Sequence, residues 1–187
     1  MTIGEGAAVL VLESAERARR RGARILGWLA GTGASCDAYH MTSPDPAGAG
    51  ILRAVRGALA DAALPPEAID FVNVHGTGTP HNDAAEARML ASVFGERTPA
   101  VPITSTKGAV GHLLGSAGAI EAVATLLCLA HGVVHPTPGE GPSDPALGVD
   151  LVVESARSFP GARHALSTNL AFGGANAAAI FSRGDPS

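Results

Sequence analysis

An α/β fold with a layered sheet is the architecture this sequence predicts, and three observations carry that expectation. Short apolar runs of strand length alternate with stretches of helical periodicity. Glycine- or histidine-bearing turns follow several of the strand candidates, where sites form in such sheets. And 46% of the 187 residues are hydrophobic, enough for one domain with a real apolar core.

Taken in order, residues 7–13 form an apolar run that reads as a buried strand. Ser14 then offers an N-cap, and residues 15–21 read as a short basic helix stopped by Gly22. Residues 24–30 are the next strand candidate, followed by a Gly-, Ser-, Asp- and Pro-rich loop over 31–50. Leu52, Val55, Leu59 and Ala62 repeat at helical spacing up to the break at Pro65 and Pro66. A short strand at 71–74 runs into His75; a helix covers 83–94 and a small strand 101–103. The longest helix spans 116–131, a Pro/Gly-rich passage spans 136–145, and two last strands at 165–172 and 176–181 flank Gly173 and Gly174.

Composition excludes several functions. Formal net charge is −4, so no overall positive field recommends nucleic acid or acidic lipid. The apolar stretch at 119–134 is interrupted by Glu121, His131 and Gly132, so no membrane span is expected, and a cytoplasmic location follows from the two cysteines and the N-terminal composition. His131 and His135 have the spacing of a metal pair, but Gly132 and Pro136 break the helix such a pair needs, and no metal site is expected. Of the thirteen Lys and Arg residues only Lys107 is a lysine, which invites a chemical explanation.

Three segments can carry chemistry. The first, His75-Gly76-Thr77-Gly78-Thr79-Pro80, sets two hydroxyls beside a histidine but has no phosphate-loop spacing. The second runs from Ser105-Thr106-Lys107 through Gly111-His112 into small residues opening a helix, whose dipole would keep His112 neutral. The third is Asn169-Leu170-Ala171-Phe172-Gly173-Gly174.

With these motifs in this order, the chain resembles the C-terminal half of the β-ketoacyl-acyl-carrier-protein synthases. The resemblance implies a thiolase-like fold, one βαβαβαββ half, with residues 1–22 as the last strand and helix of the N-terminal half and 23–187 as the C-terminal domain. It implies decarboxylative condensation of acyl and malonyl thioesters for fatty acid or polyketide synthesis. His75 and His112 would each donate an N–H to the thioester oxygen of the enolate. Lys107 would hold the local electrostatics, paired with a carboxylate of the 83–91 helix; Asp83 and Glu86 share one face, and Glu86 is the preferred partner. Thr77 and Thr79 would hold the phosphopantetheine arm of the acyl carrier protein, Phe172 would gate the acyl pocket beside Gly173, and the chain itself would bind no cofactor.

The family's nucleophilic cysteine sits in the other half, and nothing here matches its surroundings. Cys36 lies in a loop segment without a helix start, and Cys128 falls on the apolar stripe of its helix. The expectation is half an enzyme that needs a cysteine-bearing partner, either an N-terminal half or a ketosynthase subunit. Leu170 stands where the family has an aromatic. The alternatives are a non-catalytic, chain-length-determining subunit or an inactive remnant. A thiolase would want a late cysteine near Gly173, and residues 114–118 miss the spacing of a serine-hydrolase elbow.

Overall fold

A computed structural model describes residues 1–139 and 143–184; the middle of the 136–145 passage lies outside them. Helix α1 (Ala15–Arg20) starts where Ser14 Oγ accepts the Arg17 N–H at 3.3 Å. Strand β1 (Gly27–Cys36) leads to α2 (Ala49–Ala62), β2 (Phe71–Asn73), α3 (Pro80–Phe94) and β3 (Pro102–Thr104). A four-residue turn of helix, α4 (Lys107–Val110), precedes the long α5 (Ala117–His131). Short strands β4 (Val133–Val134), β5 (Asp150–Leu151) and β6 (Arg157–Ser158) come next, then β7 (His164–Ala171) and β8 (Ala175–Arg183).

Six strands form one mixed sheet in the order β1-β8-β7-β2-β3-β5, while β4 and β6 pair separately. β8 runs antiparallel to both neighbours; β7, β2, β3 and β5 are mutually parallel. Omitting the two-residue strands, the sequence of elements is strand-helix three times and then two strands, as expected. One core cluster joins α2 and α3 to the sheet through Ile51, Val55, Val72, Met89 and Leu166; a second, with Phe71, Cys128, Leu129 and Phe181, lies under α5. Together with its preceding turn, α5 is long and apolar enough to cross a membrane, yet its buried residues include Glu121, the partner of Lys107.

Four expectations change. Residues 7–13 form no strand, and Val9, Val11 and Leu12 are exposed, because no described strand offers them a ladder of hydrogen bonds. The arm is held at its start, where the His112 N–H donates to Thr2 O at 2.7 Å and the Gly4 N–H to His112 O at 3.1 Å, and again where Ser116 Oγ donates to Gly6 O at 2.8 Å and Leu10 packs against the second core cluster. The second strand starts at Gly27 and continues to Cys36, through what reads as loop in the sequence. Gly31 and Gly33 are there for packing: a Cβ would stand 2.4 Å from Ala58 O and 2.0 Å from Ala54 O, so α2 lies directly on the strand backbone. The long helix begins at Ala117, after a single 3-10 turn at Leu114–Ser116. And β4, β5 and β6, at two residues each, are too short for a periodicity to show.

Candidate active site

The carboxyl end of β2, at the middle of the sheet, delivers His75 into a tight turn. Its backbone N–H donates to Glu86 Oε1 at 2.8 Å, and that of Gly76, at φ 47°, to Glu86 Oε2 at 2.7 Å. Asn82 Nδ2 and Thr168 Oγ1 donate to the same carboxylate, at 2.8 and 3.0 Å. Glu86 is therefore the clamp that shapes the histidine loop; burial pushes its carboxyl up while these four donors hold it down.

Lys107 pairs elsewhere. Its ammonium meets Glu121 Oε1 on α5, with 5% and 2% of the two side chains exposed. The expected pairing with Glu86 or Asp83 is not formed: Glu86 is spent on the loop, and Asp83 accepts from Asn82 Nδ2 at 3.0 Å. An acid inside an apolar helix, fourteen residues after the only lysine, was the available signal for Glu121. Asn169 is the second residue whose role sequence reasoning misses. Its Nδ2 donates to Glu121 Oε2 at 2.7 Å, and its Oδ1 lies 3.3 Å from His75 Nδ1. Asn73 fastens the same region from β2, donating to Thr106 Oγ1, Thr125 Oγ1 and Glu121 O.

His112 follows α4 and its left-handed terminal Gly111. Leu114 takes φ 53°, strained for a leucine, and turns its N–H onto His112 Nδ1 at 3.2 Å. A neutral His112 thus accepts at Nδ1 and carries its proton on Nε2. The rings of His75 and His112 meet edge to face, with centroids 5.2 Å apart and planes at 84°. Burial drives His75 down to about 3, with Lys107 and His112 adding to the fall and Asn169 opposing it. His112 is also lowered, by burial first and then by Lys107. Burial and Lys107 both favour a neutral His112, which precedes the 3-10 turn leading into α5.

The other expected residues are placed as follows. Thr77 and Thr79 hydroxyls bond each other at 2.7 Å just ahead of α3. Phe172, 78% exposed, heads the turn after β7, and the Gly173 N–H donates to Met41 O at 2.6 Å. Cys36 is exposed at the end of β1, its thiol donating to Gly173 O at 3.6 Å, whereas Cys128 is buried in the second core cluster. His135 lies beyond the end of α5 and bonds Thr104 Oγ1 and Thr106 Oγ1.

Residues 26–139, well over half of the chain, match the family described as the β-ketoacyl synthase, C-terminal domain. The chain belongs to the β-ketoacyl synthase family. Over 182 residues this ketosynthase domain is 43% identical to 3-oxoacyl-[acyl-carrier-protein] synthase 2 of Vibrio cholerae, covering 97% of this chain and 44% of that protein. Among solved structures, the ishigamide ketosynthase/chain length factor superposes with a TM-score of 0.92 at 39% identity, covering 98% of this chain and 44% of the other. A type II PKS acyl-carrier protein in complex with its ketosynthase bound to the hexaketide gives a TM-score of 0.88 at 34% identity, covering 92% and 42%. The domain therefore spans less than half the length of the curated relatives it matches, with the ketosynthase thiolase-like fold.

Proposed function

We propose that this chain supplies the histidine half of a decarboxylative condensing enzyme, with the nucleophilic cysteine lent by a partner half. The observation that carries this reading is the meeting of two buried or half-buried imidazoles, 5.2 Å apart, both held neutral beside Lys107. Malonyl thioester on an acyl carrier protein breaks its bond to the carboxylate carbon, carbon dioxide leaves, and the electron pair moves to the thioester oxygen as an enolate. The His112 Nε2–H stabilises that oxygen, and His75 faces the same space. The enolate carbon then attacks the acyl thioester carbonyl on the partner's cysteine, and the cysteine thiolate departs.

Thr77 and Thr79 hold the phosphopantetheine arm in this reading, and Phe172 with Gly173 bounds the acyl pocket. The need for a partner is supported by the cysteines, one packed in a core and the other bonded to a backbone carbonyl, and by the exposed apolar arm at Val9, Val11 and Leu12. The solved relatives described as pairing a ketosynthase with a chain length factor favour a second reading, a non-catalytic subunit. The joint presence of His75, His112 and Lys107 favours catalysis.

Co-expression with cysteine-bearing candidate halves, followed by a carrier-protein condensation assay, tests the proposal. Condensation by the pair, and none by either chain alone, is the expected result. Full activity of the single chain would overturn the split, and a pair whose activity survives His112→Ala would overturn the oxyanion assignment.

A further inference from the structure

Helix α5 buries one face and leaves another apolar face open. Glu121, Thr125, Cys128 and Leu129 are buried, whereas Leu127 is 51% exposed, Ala130 is exposed, and Ile120 and Val123 are half-buried. Ile120, Val123, Leu127 and Ala130 alternate at three- and four-residue steps, the spacing of a seam against which a second helix packs. Only 33% of Leu114–His131 lies buried, although the stretch is apolar enough to span a bilayer. Beside the first turn of the helix a groove of about 450 Å3 opens over the sheet. Thr32, Gly118, Ala177 and Ala179 line it, side chains small enough for another helix to come close.

We propose that this seam joins α5 to the α5 of a second copy of this chain, antiparallel, about a two-fold axis that passes the helix near Thr125. Three observations select that occupant. In the antiparallel register Ile120 meets Ala130 and Val123 meets Leu127, so a larger side chain faces a smaller one in each layer and the seam complements itself. The ends of the helix match as well. Ser116 Oγ donates to Gly6 O at 2.8 Å, which sets the exposed Glu5 beside the start of α5, and the exposed His131 closes its last turn. Antiparallel helices bring His131 of one copy toward Glu5 of the other and oppose the two helix dipoles, whereas parallel helices would put like ends together. The groove supplies the third observation: Ser167 and Asn169 also line it, polar groups that a lipid chain would strand.

The pairing has one consequence for the chemistry proposed above, and this consequence alone rests on that reading. Asn169 lines the groove while its Oδ1 lies 3.3 Å from His75 Nδ1, so a second copy seated there stands at the edge of the histidine site. A half that must bring its thiol to the same site competes with that copy. The paired chain is then a resting form, opened by mass action when the cysteine-bearing half arrives.

Sedimentation equilibrium of the full chain tests the pairing without any assay of turnover. The expected result is a reversible, concentration-dependent dimer. Leu127→Glu, with the far-UV circular dichroism of the parent, should weaken it by about a hundredfold or more, because the two-fold axis brings the change in twice. Direction is read by oxidative cross-linking in a Cys36→Ser background, where the buried Cys128 stays silent. A mixture of Val123→Cys and Leu127→Cys chains should form the mixed disulfide dimer, and Ile120→Cys chains should not link to one another. A parent chain that is monomeric at every concentration overturns the proposal. So does a monomer that floats with phosphatidylcholine vesicles, which would assign the face to lipid. A folded Leu127→Glu chain with undiminished pairing, absence of the mixed disulfide, or linked Ile120→Cys chains would each overturn the seam. All of these outcomes leave the condensing function to be judged by the co-expression assay above.

Discussion

Removing either member of the Lys107–Glu121 pair should cost this chain a large part of its stability, whereas removing both should cost far less. Side-chain exposures of 5% and 2% place the pair in the interior, where a charge left alone is strongly destabilising. Lys107→Met and Glu121→Leu should each lose about 3–5 kcal/mol. Glu121→Leu should stand at the upper end, because it also strips the acceptor from Asn169 Nδ2. Against a total of roughly 5–15 kcal/mol for a domain of this kind, such losses move an unfolding midpoint by an easily measured amount. The double variant replaces the pair by apolar groups of similar size, so the coupling should reach about 3 kcal/mol or more. Urea unfolding followed by far-UV circular dichroism gives all four corners of the cycle. Glu86→Gln, whose carboxylate binds the histidine loop, should combine additively with Lys107→Met. Additivity at Glu121, or strong coupling at Glu86, would refute the pairing and the electrostatic account of the site built on it.

Three further outcomes follow from the same geometry. In the reconstituted pair, His112→Ala should slow malonyl decarboxylation by about a hundredfold or more, as for other lost oxyanion donors, read as carbon dioxide release. Below pH 6.5 the unfolded chain protonates His75 while the folded chain, at about 3, does not, so folding stability should fall by about 1.4 kcal/mol per pH unit from this residue. His112 adds in the same direction, whereas Glu86 and Glu121, raised above 4.5 in the folded chain, take up protons there first and offset the loss as the pH falls further. His75→Phe should flatten the slope just under pH 6.5 in pH-dependent urea curves, and an unchanged slope would refute the assignment. Gly33→Ala should cost about 1–3 kcal/mol or more, since its Cβ would press on Ala54 O, while Gly57→Ala, with only Gly33 Cα at 3.5 Å, should gain up to about 1 kcal/mol in thermal unfolding.

The order of strands and helices was legible because most elements carry a period or a stop signal. Ser14 caps, Leu52 to Ala62 repeat on one face, and Gly132 ends α5 in the left-handed region. The histidine and lysine motifs were legible for a different reason: side chains at the ends of central strands converge however loosely the intervening loops are read. The failures share a cause. Glycines at 31 and 33 look like loop until the helix lying on them is known, and the apolar arm at 7–13 looks like a strand although pairing depends on a neighbour. The ion pair falls to the wrong helix on sequence alone, since helical spacing shows which face Glu86 shares with Asp83 but not that the histidine backbone already occupies its carboxylate. Asn169 could not be read at all, because its meaning lies in three residues from three other elements.

The survival of one lysine among twelve arginines also has a physical reason in the folded chain. Burial does most to keep protons off the two imidazoles, and the nearby Lys107 cation lowers both further. That cation must be buried to act through little solvent, and a buried cation needs a partner for each donor it cannot turn away. An ammonium on a flexible stem places its charge against Glu121 Oε1 while Oε2 stays available to Asn169. A guanidinium has five donors in a rigid plane and favours both oxygens of one carboxylate, so it would compete with Asn169 and leave other donors bare. Lys107→Arg should therefore behave as a disruptive change although the charge is retained. The expected result is a loss of stability comparable to Lys107→Met in urea unfolding. A Lys107→Arg protein matching the parent in unfolding would show that charge alone, and not the sharing of Glu121, sets the site.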